Sequence, residues 1–228
     1  MRGRRLAYGS SGEKGKGEMA DATRGSETAG LAGPWLIVGL GNPGQKYVYN
    51  RHNAGYMVIG ELLHRSGGRL ARHRSGAKVA EVRLGIGPGG VPGPRAILAI
   101  TDTYMNVSGQ PVRALADFFS IAPERVLVVH DELDLPEHTL RLKRGGGEGG
   151  HNGLKSITQH LGTRDYARLR IGVGRPPGRM DPAAYVLQDF PAADRGEWAV
   201  TITQAADVVE DVAQRGFERA QGEANTAG

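Results

Sequence analysis

Every position from Trp35 to Leu40 is apolar apart from Gly39, so the pattern predicts a strand buried on both faces. A turn of glycine, asparagine and proline at 41–44 closes it. The period then changes: Tyr56, Ile59, Leu62 and Leu63 recur at helical spacing over 54–65 until Gly67 and Gly68 stop the helix. Lys78 to Leu84 alternates as a short strand. A glycine- and proline-rich hairpin or loop at 85–94 leads to the apolar strand Ala96 to Ile100. A helix from Gln110 to Phe119 turns Val112, Leu115, Ala116 and Phe119 inward, with Ser108 placed to cap it. Arg125 to His130 is a valine-rich central strand, and Thr139 to Lys143 alternates as an edge strand would. The glycine-rich stretch 145–153 reads as a mobile loop feeding a helix at 153–161, and Ala167 to Val173 as another strand. Asp181 and Pro182 are an N-cap and first-turn pair for a short helix. A long helix over 192–215 carries Trp198, Ile202, Ala205, Val209 and Val212 on one side.

This order of elements describes an α/β fold: a single-domain three-layer sandwich, with a twisted, mostly parallel mixed sheet and helices on both faces. The 228 residues suit one such domain, placed at 34–216. Residues 1–33 have almost nothing to bury and are expected to be a disordered extension, with Met19 a plausible true start. Residues 217–228 are expected to be a disordered C-terminal tail.

Composition narrows the chemistry. With no cysteine, disulfides, thiolate catalysis and Cys-ligated zinc are excluded. No apolar run reaches the length of a membrane span, and the arginines at positions 2, 4 and 5 precede no apolar signal segment. A net charge of +5 favours a polyanionic partner if the basic residues are gathered in one place.

The polar residues that could carry chemistry each follow a strand or the glycine loop. They are Asn42, then Arg51 and His52, then Asn106, then His130 and Asp131, with His151 and Asn152 after them. At the carboxyl edge of a doubly wound sheet such clusters converge. Histidine beside a carboxylate is the simplest general base, and asparagine amides serve an oxyanion without adding charge. There is no Gly-x-Ser-x-Gly elbow, so water is a better nucleophile than a side chain. The bland readings stand beside these. His52 also suits the surface at a helix start, His130 a structural place in a buried strand, and Tyr104 and Met105 the core. Asp131, Glu132 and Asp134 read as a solvated acidic turn or a weak Mg²⁺ site, and no metal-binding spacing is present. Glycines 39 and 41 begin a dinucleotide pattern that Pro43 interrupts. Alternation puts Arg141 and Lys143 on one strand face, and Arg168 and Arg170 together on another; side by side these would bind phosphate, and apart they are a solvated edge.

These stretches also carry a resemblance. Gly39-Leu-Gly-Asn-Pro-Gly44, Arg51-His-Asn-Ala-Gly55, Thr103-Tyr-Met-Asn-Val-Ser-Gly109, His130-Asp-Glu-Leu-Asp-Leu-Pro136 and Gly149-Gly-His-Asn-Gly-Leu-Lys155 resemble, in order, the motifs of the bacterial-type peptidyl-tRNA hydrolase family. The resemblance spans about residues 35–215. It implies a monomeric, cytoplasmic esterase with no metal or other cofactor, whose substrate is peptidyl-tRNA and which recycles the tRNA. It implies His52 as catalytic base and Asp131 as its orienting carboxylate, with Asn42, Asn106 and Asn152 holding the ester and the water. Tyr47 and Met105 would belong to the substrate channel, and Lys143 and Arg170, with Arg141 nearby, would grip the tRNA 5′ phosphate. The chain departs from the pattern at Ile100-Thr101-Asp102, where the family has a Lys-Pro pair, and at Glu148, where many members have histidine. The alternative class is an RNA-binding module without turnover.

Overall fold

Residues 33–226 are described by a computed structural model. The expectations of a disordered extension and of a start at Met19 lie outside these residues, Gly33 excepted. Seven strands form one sheet: β1 (Trp35–Gly39), β2 (Ala71–Arg72), β3 (Ala77–Arg83), β4 (Arg95–Thr101), β5 (Val126–Glu132), β6 (Leu140–Arg144) and β7 (Ala167–Gly172). Their spatial order is β2-β3-β4-β1-β5-β7-β6. The inner four, β4, β1, β5 and β7, are parallel, and antiparallel neighbours finish both ends. Burial on both faces explains the near-continuous apolar character of β1, β4 and β5.

Helices α1 (Ala54–Ser66), α2 (Gly109–Phe118), α3 (Asn152–Leu161), α4 (Pro182–Val186), α5 (Arg195–Arg215) and α6 (Phe217–Thr226) complete the fold. Val58, Ile59 and Leu62 of α1 and Trp198, Ile202 and Val209 of α5 pack on Ile37, Leu98, Leu127 and Val129. On the opposite face, Val112 and Leu115 of α2 and Leu154 and Ile157 of α3 pack on Leu36, Val38, Ile97 and Val128. The chain leaves β1 toward the first face and β4 toward the second, so the crevice between their carboxyl ends is the switch point where α/β sheets hold ligands.

α1 approaches β1 very closely. A Cβ on Gly39 would fall inside contact distance of the Gly55 carbonyl, and a Cβ on Gly55 would strike the Val129 carbonyl. Only paired glycines permit that approach. The helix ends at Gly67, whose φ of 65° is left-handed and whose N–H bonds back to His64.

Four local expectations change. Ser108 does not cap α2; its hydroxyl donates to the Met105 carbonyl, and a 3-10 turn over Met105–Val107 feeds the helix directly. Asp181 stands at the N-cap of α4 without a side-chain cap bond, leaving Pro182 to start the helix. Two-residue β2 is an additional strand. The expected tail over 217–228 is wrong for 217–226, which form helix α6 with Phe217 and Ala220 buried. Asn225 holds it there: its Oδ1 accepts the Leu142 N–H at 2.9 Å and its Nδ2 donates to the Leu142 carbonyl at 3.0 Å. Gln221 reaches the same carbonyl at 3.1 Å.

Candidate active site

Asn42 stands just past β1 and is buried. Its backbone is clasped by Asn53, which accepts the Asn42 N–H at 2.9 Å and donates to the Asn42 carbonyl at 3.0 Å. Across the switch point, Asn42 Oδ1 accepts the Met105 N–H at 2.9 Å. With its oxygen so engaged, the carboxamide has its N–H groups left to offer to the cleft.

Ten residues later a 3-10 turn, Arg51–Asn53, brings His52 over the end of β5. His52 Nδ1–H donates to both oxygens of Asp131, at 2.9 and 3.0 Å. Asp131 is 2% exposed and His52 13% exposed, so the pair is largely screened from water and only the far imidazole edge is open to chemistry. Burial disfavours protonating His52, but the Asp131 charge and hydrogen bond outweigh it and raise its pKa above the ordinary 6.5. Burial likewise opposes the Asp131 anion, yet His52 and His151 hold its pKa well below the carboxylate range.

His151 is the second partner of Asp131, with Nε2 3.1 Å from Oδ1. Its other nitrogen caps α3, accepting the N–H groups of Gly153 and Leu154 at 3.1 and 3.4 Å. An Nδ1 that accepts leaves the proton of a neutral ring on Nε2, so the cap forces His151 to donate to Asp131. His130, one residue before Asp131, donates Nδ1–H to the Asp131 carbonyl at 2.7 Å. Complete burial, reinforced by neighbouring His151, pushes its pKa down to about 3 and keeps it a neutral structural group.

The cleft encloses about 1040 Å³. All seven catalytic and substrate-binding candidates line it: His52, Asp131, Asn42, Tyr47, Met105, Asn106 and Asn152. No serine, threonine, cysteine or lysine does, among the described residues. Leu187, Val186 and Met180 form an apolar lip. Buried Arg51 fixes that lip, donating to the carbonyls of Gln188 and Asp189 at 3.3 and 3.0 Å and lying over Tyr185.

Arg141, Lys143 and Arg170 do not line the cleft. Antiparallel pairing sets Arg141 opposite Arg170 and Lys143 opposite Arg168, so all four share one face of the β6–β7 ribbon. Lys143 is exposed, and Arg170 donates to Glu132 at 2.9 Å, which joins this ribbon to the cleft wall. Arg168 departs from the expected phosphate role. It is buried under the glycine loop, bonding the carbonyls of Gly147 and Gly146 at 2.7 and 3.1 Å. Glu148 pairs with Arg164 at 2.9 Å.

His52, Asp131 and His151 bring three potential ligand atoms within 4.8 Å of one another, the one such group among the described residues. A cation there would need an unprotonated His151 Nε2 and would thereby take the cap from α3, so the three groups suit one another better than a metal. The pairing of His151 with Asp131, and the clasp by Asn53, are the parts that residue spacing alone does not reveal. A histidine N-cap lies outside the usual Ser, Thr, Asp and Asn set.

Comparison with known proteins bears on this geometry. A family model described as peptidyl-tRNA hydrolase matches residues 36–228. A peptidyl-tRNA hydrolase of Kineococcus radiotolerans is 56% identical over 191 residues, covering 84% of this chain and 96% of that one. One from Frankia alni is 58% identical over 189 residues, 83% and 92% of the two chains. A crystal structure of peptidyl-tRNA hydrolase from Acinetobacter baumannii superposes with a TM-score of 0.74 at 37% identity, covering 84% of this chain and 94% of that one.

Proposed function

Since the chain belongs to the peptidyl-tRNA hydrolase family, an enzyme family that hydrolyses the ester of peptidyl-tRNA, we propose that it does so by water attack assisted by His52. The observation that carries this reading is the His52–Asp131 pair facing a cleft with no serine, threonine, cysteine or lysine in its wall among the described residues. Asp131 keeps the His52 proton on Nδ1, leaving Nε2 free as the base. Nε2 takes a proton from water as the water oxygen adds to the ester carbonyl. Asn42 Nδ2, aimed by the Met105 N–H, donates to the oxyanion. Collapse breaks the bond to the terminal ribose oxygen, which receives the proton from the His52 imidazolium. Peptide acid and free tRNA leave.

Asn106 and Asn152, both exposed in the cleft wall, hold the ester and the water, while Tyr47 and Met105 contact the peptide. Reading peptide backbone through amides suits a substrate of arbitrary sequence. Lys143 and Arg170, with Arg141 beside them, take the 5′ phosphate of the tRNA once Arg170 exchanges Glu132 for it. The acting unit proposed is a monomer, as the family resemblance implies. The substrate belongs to translation, so we place the reaction in the cytoplasm; no helix among the described residues is long and apolar enough to cross a membrane.

The decisive measurement is hydrolysis of N-acetylaminoacyl-tRNA with a chelator present. His52→Ala should lose at least ~10²-fold in kcat, the scale of one general base, while still binding deacylated tRNA. Turnover of that variant at the wild-type rate would end the proposal.

A further inference from the structure

A second cleft, of about 440 Å³, lies outside the site and is lined by His73, Arg74, Ser75, Ala114, Asp117 and Phe118. It is built between the β2–β3 hairpin and the end of α2. Phe118 is 50% exposed, a large apolar ring left open at a surface. Its position is nevertheless set: Phe119 meets it edge-on at 4.8 Å and His73 at 4.7 Å. Arg74 lies 5.1 Å over the ring, and both it and Arg72 are exposed. Neither arginine has a carboxylate in ion-pair reach among the described residues. Arg72 stands opposite Lys78 in the hairpin, and the Lys78 ammonium is already held by Asp102 at 3.2 Å. The one acidic wall residue, Asp117, is neutralised by Arg113 at 2.8 Å.

A fixed, half-exposed aromatic ring beside an arginine with no carboxylate partner is what a single nucleic-acid strand uses, its base stacked and its phosphate neutralised. An acidic peptide would need the arginine but not the ring. The location fits the same ligand. The Gly76 carbonyl accepts the Asp102 N–H at 3.0 Å, and Tyr104, two residues on, lines the catalytic cleft. The hairpin therefore sits beside the mouth of the site, at the opposite end of the sheet from Lys143 and Arg170. The only unpaired bases tethered close to the scissile ester are those at the 3′ end of the tRNA. We propose that this cleft binds an unpaired nucleotide of that 3′ strand, its base against Phe118 and its phosphate on Arg74. The assignment of the RNA rests on the family activity; the cleft itself does not.

The test is fluorescence anisotropy with a labelled short single-stranded RNA ending in CCA, and with duplex RNA of equal charge. Phe118→Ala should weaken the single strand by about tenfold, the scale of one base–aromatic stack, and leave the duplex nearly unchanged. Arg74→Gln should lower the salt slope by about 0.7. Equal binding of the single strand by wild type and Phe118→Ala would overturn the proposal. So would displacement of the RNA by inorganic polyphosphate as readily as by unlabelled RNA, since charge alone would then account for binding. Turnover of peptidyl-tRNA by the wild type is measured separately. Its absence would refute the family activity and leave the anisotropy result to judge the cleft.

Discussion

Replacing Asp131 by asparagine poses a problem that the two histidines answer differently. The carboxylate accepts two N–H groups, from His52 at 2.9 Å and from His151 at 3.1 Å. An amide has one oxygen and one NH₂ to offer in their place. His151 cannot move its proton without surrendering the N–H groups of Gly153 and Leu154, whereas no backbone group holds the His52 tautomer. The amide oxygen therefore turns to His151, its NH₂ faces His52, and the His52 proton shifts to Nε2, where the base should be empty. Asp→Asn at the equivalent place in a catalytic triad costs about 10⁴ in kcat, or roughly 5 kcal/mol of transition-state stabilisation, and a similar loss is expected here. The lock makes a sharper forecast. In Asp131→Asn with His151→Ala, the amide oxygen is released to face His52, and the double variant should be at least tenfold faster than Asp131→Asn alone, despite about 1 kcal/mol of lost capping. Single-turnover hydrolysis of N-acetylaminoacyl-tRNA, with ¹⁵N chemical shifts reporting the His52 tautomer, measures both. A double variant no faster than the single one, or an Asp131→Asn single variant with His52 still protonated on Nδ1, would refute the reasoning.

Because His52 must be neutral to act and its pKa is raised, kcat/KM should climb with pH through a midpoint above 6.5; a midpoint at or below that value would contradict the role of Asp131. Gly55→Ala should cost about 3 kcal/mol in urea unfolding, since the new methyl meets the Val129 carbonyl and Leu40 backbone rather than a side chain that could yield. Lys143→Ala should reduce the salt slope of tRNA binding by about 1 while leaving small N-acetylaminoacyl adenosine esters unaffected; equal loss on both would remove it from phosphate binding.

Much of this architecture is legible in residue order because it depends on local repetition. β1, β4 and β5 are buried on both faces, so their apolar runs are unmistakable, and α1 shows its period from Tyr56 to Leu63. The polar candidates gather because each follows a parallel strand. What escapes the reading depends on partners distant in sequence. Arg168 alternates with Arg170 and so looks equally solvent-facing, until the carbonyls of Gly146 and Gly147 close over it. β2 is too short to display a period. His151 looks like an addition to Asn152, since its link to Asp131 crosses twenty residues and its capping role is unusual for its type. Helix α6 has only Phe217 and Ala220 to bury, with Ala224 packed beside them, too short an apolar stripe to stand out, and amides complete its attachment.

That attachment has a consequence for an enzyme of this kind. β6 is the outermost strand, and its unpaired N–H and carbonyl groups would form a template for any extended chain nearby. Here the extended chain is the substrate's own unfinished peptide. By offering Leu142 both an acceptor and a donor, the side chain of Asn225 imitates the next strand of the sheet and occupies the middle of that edge. The final helix thus leaves the middle of that edge already paired, with no free N–H or carbonyl at Leu142 for an extended chain to meet.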